Sequence, residues 1–161
     1  MARVLVVGYG PQAAGFAARL AAAGQVVRLA GPEEVAPGER VEVVWADPYR
    51  LATLSRHLAY SAVGCWLLGE APPDRVEELA HQRLPAFVRM AVDAGIRGIA
   101  YQPPAGLERS AQAAERICAE NALGFVLLGR GAGWEEVGVE AVGRLIGVGS
   151  FPDKSNKVDL L

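Results

Sequence analysis

Six short apolar runs recur along this chain with helical patterns between them, and that alternation restricts the fold more than any other feature. The runs read as strands at Arg3–Gly8, Val26–Ala30, Val41–Trp45, Ala62–Leu68, Gly98–Tyr101 and Gly124–Leu128. Most are continuous rather than alternating, as expected of parallel strands covered on both faces. Parallel strands need a crossover between them, and the intervening segments have helical spacing. Pro11–Ala23 places Phe16 and Leu20 four apart, with Pro11 suited to a first helical turn. Asp47–Tyr60 carries Leu51, Leu54 and Leu58 at three- and four-residue spacing. Asp74–Ala94 is longer, and Pro85 inside it predicts a kink or break. Leu107–Asn121 and Glu135–Ile146 complete the set, with Gly24, Gly95 and Gly124 placed to cap helix ends. Short links and right-handed crossovers then give an α/β fold with a doubly wound parallel sheet of about six strands.

A chain of 161 residues with 52% apolar content can bury one core and is too short for two ordinary domains. Residues 1–150 are therefore read as a single domain and 151–161 as a polar tail. The net charge of −2 and the scattered basic residues give no general attraction to nucleic acid or anionic lipid. No apolar run is long enough to span a membrane, and no signal-peptide pattern is seen, so a cytoplasmic location is expected. Cys65 and Cys118 lack a C-x-x-C pattern and read as free, buried thiols. His57 and His81 stand alone, which argues against a zinc site.

The link from the first strand to the first helix carries the chemistry. Gly8-Tyr9-Gly10-Pro11-Gln12-Ala13 fits G-x-G-x-x-(G/A) between a strand and a helix. Gly8 permits the tight turn, Gly10 has no Cβ to block a pyrophosphate, and Ala13 lets the helix pack close to the strand. A dinucleotide's phosphates would meet free N–H groups and the positive end of the helix dipole. Pro11 removes one such donor, and a bare turn without ligand is the competing reading. The second strand ends in Ala30-Gly31-Pro32, with Glu33 and Glu34 slightly later and Arg28 mid-strand. NAD and NADP are not distinguished by this segment.

The body of the chain resembles a shortened atypical short-chain dehydrogenase/reductase, on the side of the NAD-dependent epimerase/dehydratase and NmrA-like proteins. Four segments carry the likeness: "VLVVGYGPQA", "WADPYRLATL", "LPAFVRMAVDAGIRGIAY" and "ERSAQAAERICAENALGFVLLGRG". The resemblance implies a Rossmann-like three-layer αβα sandwich with NAD(P) across the first turn. It places Asp47 near the adenine and Leu68-Gly69 beside the ribose and nicotinamide. The family's catalytic tyrosine, with a lysine four residues later, has no counterpart. Leu107 and Ala111 stand at the matching positions, and the only lysines are Lys154 and Lys157. "YQPPAG" replaces the serine or threonine expected after the fifth strand. Fuller members also carry a C-terminal lobe over the substrate, so a closed pocket here would need a partner subunit.

Tyr101, at a strand end where such sheets bind ligands, is a candidate to stack on a ring or act as an acid. Tyr9 is placed to cover the cofactor, and Arg130 to anchor a phosphate or carboxylate. Asp47 could equally cap the segment after it. No catalytic residue is assigned. Three readings follow: a catalytically silent NAD(P)-binding sensor or subunit, a small oxidoreductase acting on a carbonyl or flavin, and a structural domain that has lost nucleotide binding. A homodimer packed through the long helices is expected by fold analogy alone.

Overall fold

The computed structural model describes residues 3–36 and 38–150, so the 151–161 tail lies outside the described residues. Six parallel strands form one sheet: β1 (Arg3–Gly8), β2 (Val26–Gly31), β3 (Val41–Trp45), β4 (Val63–Leu67), β5 (Gly98–Gln102) and β6 (Gly124–Leu127). Their spatial order is β3-β2-β1-β4-β5-β6. The order reverses between β2 and β4, on either side of β1, which is the switch point where doubly wound sheets open a crevice at the strands' C-terminal ends.

Period two along each strand divides the apolar side chains between two layers. Val4 and Val6 of β1, with Cys65 and Leu67 of β4, face α1 (Gly10–Ala22) and α5 (Trp134–Ser150). On that side Phe16 stacks on Trp134 with ring centroids 5.1 Å apart. Leu5 and Val7, Trp66, and Ile99 and Tyr101 face α3 (Leu84–Asp93) and α4 (Ala111–Glu120). Both faces of β1, β4 and β5 are buried, which explains why these strands read as continuous apolar runs.

The expected helix over Asp47–Tyr60 is not formed; two 3₁₀ turns, Leu51–Thr53 and Ser55–His57, take its place. Local side-chain bonds outcompete the helix. Asp47 Oδ1 accepts the Tyr49 N–H at 3.0 Å, and Thr53 Oγ1 accepts from Asp47 N at 2.9 Å. Leu54 and Leu58 are buried all the same, so their spacing reported burial rather than helix type. Pro85 behaves differently from a simple break. α2 (Val76–Glu78) runs into a π-helical turn, Leu79–Arg83, and Pro85 then sits in the first turn of α3. The wider turn precedes the residue that has no N–H to donate, so the helical path continues past it. Gly24 and Gly95 adopt positive φ after their helices, whereas after α4 that conformation falls on Ala122 and Gly124 opens β6.

Cys65 and Cys118 are both free and fully buried. Burial pushes each thiol up to about 12. Neither is expected to react with a disulfide reagent near pH 8 until the chain unfolds, which a thiol-release assay across a urea series would show. Above pH 9 the unfolded chain loses thiol protons that the folded chain keeps, so stability should fall as pH rises toward 12. Unfolding free energies from urea curves at pH 8 and 10.5 should differ by about 2 kcal/mol or more.

Candidate functional site

The turn after β1 is built as its spacing requires. Tyr9 is the extended residue before α1, and Pro11 occupies the first helical turn. A Cβ on Gly8 would lie 2.8 Å from the Ala13 Cβ and 3.0 Å from that of Leu67. Only glycine lets α1 settle this closely between β1 and β4. Gly10 has φ +73°, a conformation that penalises any residue with a Cβ. Gly31, not singled out in the sequence, completes the cradle, since a Cβ there would meet the Gly8 carbonyl oxygen at 2.5 Å.

The α1 N-terminus points its N–H groups at carboxylates. Gly10 N donates to Glu33 Oε1 at 2.5 Å, and Gln12 N donates to Glu70 Oε1 at 2.5 Å. Glu33 comes from the link after β2 and Glu70 from the link after β4. These are the donors a bound diphosphate would use, and the fold itself aims them at anions. A crevice beside the turn, lined by Gly8, Gly10, Ala13, Gly31 and Glu33 among others, is a cavity of about 10 Å³. Both glutamates are exposed and free to turn into water.

Tyr9 is only 6% exposed and packs in the layer that holds Ala46, Leu54 and Leu68. Burial, with the charges of Asp47 and Glu33 nearby, drives its hydroxyl well above the ordinary phenol range. It therefore lies beneath the ends of β2 and β3 rather than lidding the turn from solvent. Asp47 is half-buried, and its Oδ1 is engaged with Tyr49 N. Leu68 is buried and contributes its N–H to the Gln102 carbonyl at 2.9 Å.

Tyr101 is not brought to this site. The ring is fully buried against α4, and its hydroxyl lies 2.7 Å from Ser110 Oγ. Ser110 spends its proton on the Leu107 carbonyl at 2.5 Å, so Tyr101 is the donor to Ser110. Burial pushes the phenol up to about 12 despite this bond. The sequence reading ended β5 one residue early, and in a strand one residue means the opposite face.

The true strand-end residue, Gln102, was missed because nothing in its sequence context marks it. Its side chain is buried and ties two loops together: Oε1 accepts from Gly69 N at 3.1 Å and Nε2 donates to the Gly129 carbonyl at 3.0 Å. A Cβ on Gly69 would fall 2.5 Å from that Oε1, so any larger residue there would have to displace the Gln102 amide. Gln102→Leu should strand both loop groups and cost about 2–4 kcal/mol, by the usual penalty for unpaired buried groups. Chemical denaturation would measure it. Arg130 lies 3.9 Å from Glu108 at the exposed rim and does not reach the turn after β1. Among the described residues no group of three or more His, Cys, Asp or Glu could hold a metal ion, and no helix is long and apolar enough to cross a membrane.

No protein-family model matches the sequence, and no curated protein does. Solved structures do share the fold. Triphenylmethane reductase of Citrobacter sp., solved with NADP(H), superposes with a TM-score of 0.59 at 18% identity, over 80% of this chain and 49% of that one. A short-chain dehydrogenase/reductase superfamily protein from Agrobacterium tumefaciens, with bound NAD, gives 0.60 at 14% identity over 78% and 48%. A putative NAD-dependent epimerase/dehydratase from Methylobacillus flagellatus gives 0.61 at 15% identity over 92% and 71%. The chain spans about half the length of the first two. At these identities the likeness shows the fold, a Rossmann-like α/β sandwich built on a six-stranded parallel sheet.

Proposed function

We propose that this chain is an NAD(P)-binding Rossmann-like domain that works as a nucleotide sensor or as a subunit of a larger assembly, without the usual dehydrogenase chemistry. One observation carries the reading: two N–H donors at the G-x-G turn converge on anionic oxygens at the switch point of the sheet. The solved neighbours crystallised with NADP(H) and NAD make a dinucleotide the natural ligand. Gly8, Gly10, Gln12 and Ala13 would hold its diphosphate, with Pro11 contributing no donor. Asp47 and Tyr9 would bound the adenosine end, and Leu68 and Gly69 the other. Glu33 beside the turn disfavours a 2′-phosphate, so NADH should bind more tightly than NADPH.

Catalytic silence rests on the chain's composition. With lysine only at positions 154 and 157, no tyrosine has a lysine four residues on to lower its pKa. Tyr101, the buried phenol of β5, is shifted the wrong way for a proton donor near neutrality. Calorimetric titration with NADH and NADPH tests the reading. Saturable binding of NADH, with the melting temperature raised in step, supports it. A folded chain that binds neither sinks it.

A second reading has its own support. The closed crevice and the two carboxylates already on the donors fit a structural domain whose turn caps itself. The same titration separates the two.

A further inference from the structure

A helix N-terminus engaged by a side chain is ordinary; one engaged by two acidic side chains from two different loops, inside a nucleotide-binding turn, is less so. Neither Glu33 nor Glu70 belongs to the first turn of α1, which contains no acidic residue of its own. Both reach in from across the switch point. The Glu70 carboxylate also lies over Gly10, so that a Cβ there would be 2.7 Å from Oε1. It fills the space that the missing Cβ leaves for a phosphate.

Beside these donors, the side-chain Oε1 of Gln12 in the first turn of α1 is buried and has no hydrogen-bond partner among the described residues. Buried polar atoms are normally satisfied, and one left idle at this turn points to a ligand group.

We propose that Glu70, assisted by Glu33, is a tethered anion that shuts the dinucleotide crevice and competes with the ligand's diphosphate for the α1 N-terminus. The proposal rests on the nucleotide-binding reading above. Its physical basis is mutual exclusion. Gln12 N has one proton, and a carboxylate oxygen at 2.5 Å leaves no room for a phosphate oxygen on it. Glu70 is exposed and its backbone is already anchored, with Ala71 N bonded to the Leu68 carbonyl at 3.2 Å. Opening therefore needs only a side-chain rotation into water and no movement of the sheet. A diphosphate brings more charge and more acceptor oxygens to the same donors than one carboxylate does. It displaces the glutamate once its concentration is high enough. The contact sets the threshold of a sensor, because apparent affinity falls by the fraction of time the site stands open.

Removing the competitor should tighten binding. A gate closed about nine-tenths of the time weakens the apparent affinity about ten-fold, and Glu70→Ala should recover that factor for NADH. Glu70→Gln, which keeps the length and loses the charge, should recover part of it. Calorimetry on the full chain measures both, with Glu33→Ala and the double variant alongside and a melting curve to verify the fold. An independent readout needs no ligand: the Gln12 amide proton resonance of the free chain should move upfield in Glu70→Ala as its charged acceptor is lost. Tighter NADH binding together with that shift supports the gate. Equal or weaker binding by a folded Glu70→Ala, while the wild type binds NADH, overturns the gate and leaves the cofactor reading standing. An unmoved Gln12 amide overturns the contact itself. If neither the wild type nor the double variant binds any dinucleotide, the cofactor reading falls and the gate falls with it.

Discussion

Gly10→Val is expected to weaken NADH binding by roughly a hundred-fold or more, about 2.8 kcal/mol at 1.4 kcal/mol per decade. Two independent penalties act at this residue. Its φ of +73° lies in the left-handed region, where a β-branched side chain costs about 1–2 kcal/mol or more. The new Cβ also projects onto the Glu70 carboxylate at 2.7 Å, the place a diphosphate would occupy. The glutamate can swing aside; the valine cannot leave. Binding is thus lost even though the competing carboxylate is pushed out, which distinguishes this variant from Glu70→Ala. The strain should lower the melting temperature by only a few degrees for a chain of this size. Gly15, in the same helix, has open space around its missing Cβ and no positive φ. Gly15→Ala should therefore leave binding intact and stabilise the fold by about 0.5–1 kcal/mol. Titration and melting of the two variants side by side make the comparison.

The largest effect on stability is expected at Trp66. The indole is fully buried in β4, the central strand on the β5 side of the switch point, with its ring 4.6 Å from that of Phe87 on α3. Trp66→Ala removes the contact that joins sheet to helix layer and leaves a cavity, costing about 3–5 kcal/mol. A fall in melting temperature of roughly 6–20 °C should accompany it. Its Nε1 is buried without a hydrogen-bond partner among the described residues. Trp66→Phe deletes that unpaired donor while keeping a ring against Phe87, so it should lose well under half as much. A larger loss in Trp66→Phe than in Trp66→Ala would contradict this account. Urea denaturation followed by circular dichroism measures both without relying on tryptophan emission.

Local pattern explains why some elements were legible in the sequence and others were not. The strands were readable because burial on both faces demands unbroken apolar runs, and Val4–Val7 and Cys65–Leu68 supply them. The G-x-G turn was readable because its geometry forbids a Cβ at two fixed positions. The 47–60 segment misled because Leu51, Leu54 and Leu58 repeat at a spacing that two 3₁₀ turns satisfy as well as a helix does. Thr53 and Asp47, whose side chains bond the backbone, were the signal against a helix. Tyr101 misled for a different reason: the strand continues to Gln102, and a one-residue extension exchanges the side chain aimed at the core for the one aimed at the loops.

By itself, the sequence determined that this chain forms a doubly wound parallel sheet with a glycine turn opening its first helix. Periodicity, turn chemistry and the need to cover both sheet faces are local properties, and they leave few other arrangements. It also determined that no lysine stands four residues after a tyrosine, a matter of composition alone. Only the tertiary structure decided what meets at that turn. The strand order β2-β1-β4 brings the ends of β2 and β4 to either side of β1, and so carries Glu33 and Glu70 onto the same two N–H groups. Neither glutamate stands in a motif, and no spacing along the chain links them. Their convergence comes from the crossover that sends β4 to the far side of β1, a long-range pairing that local sequence does not encode.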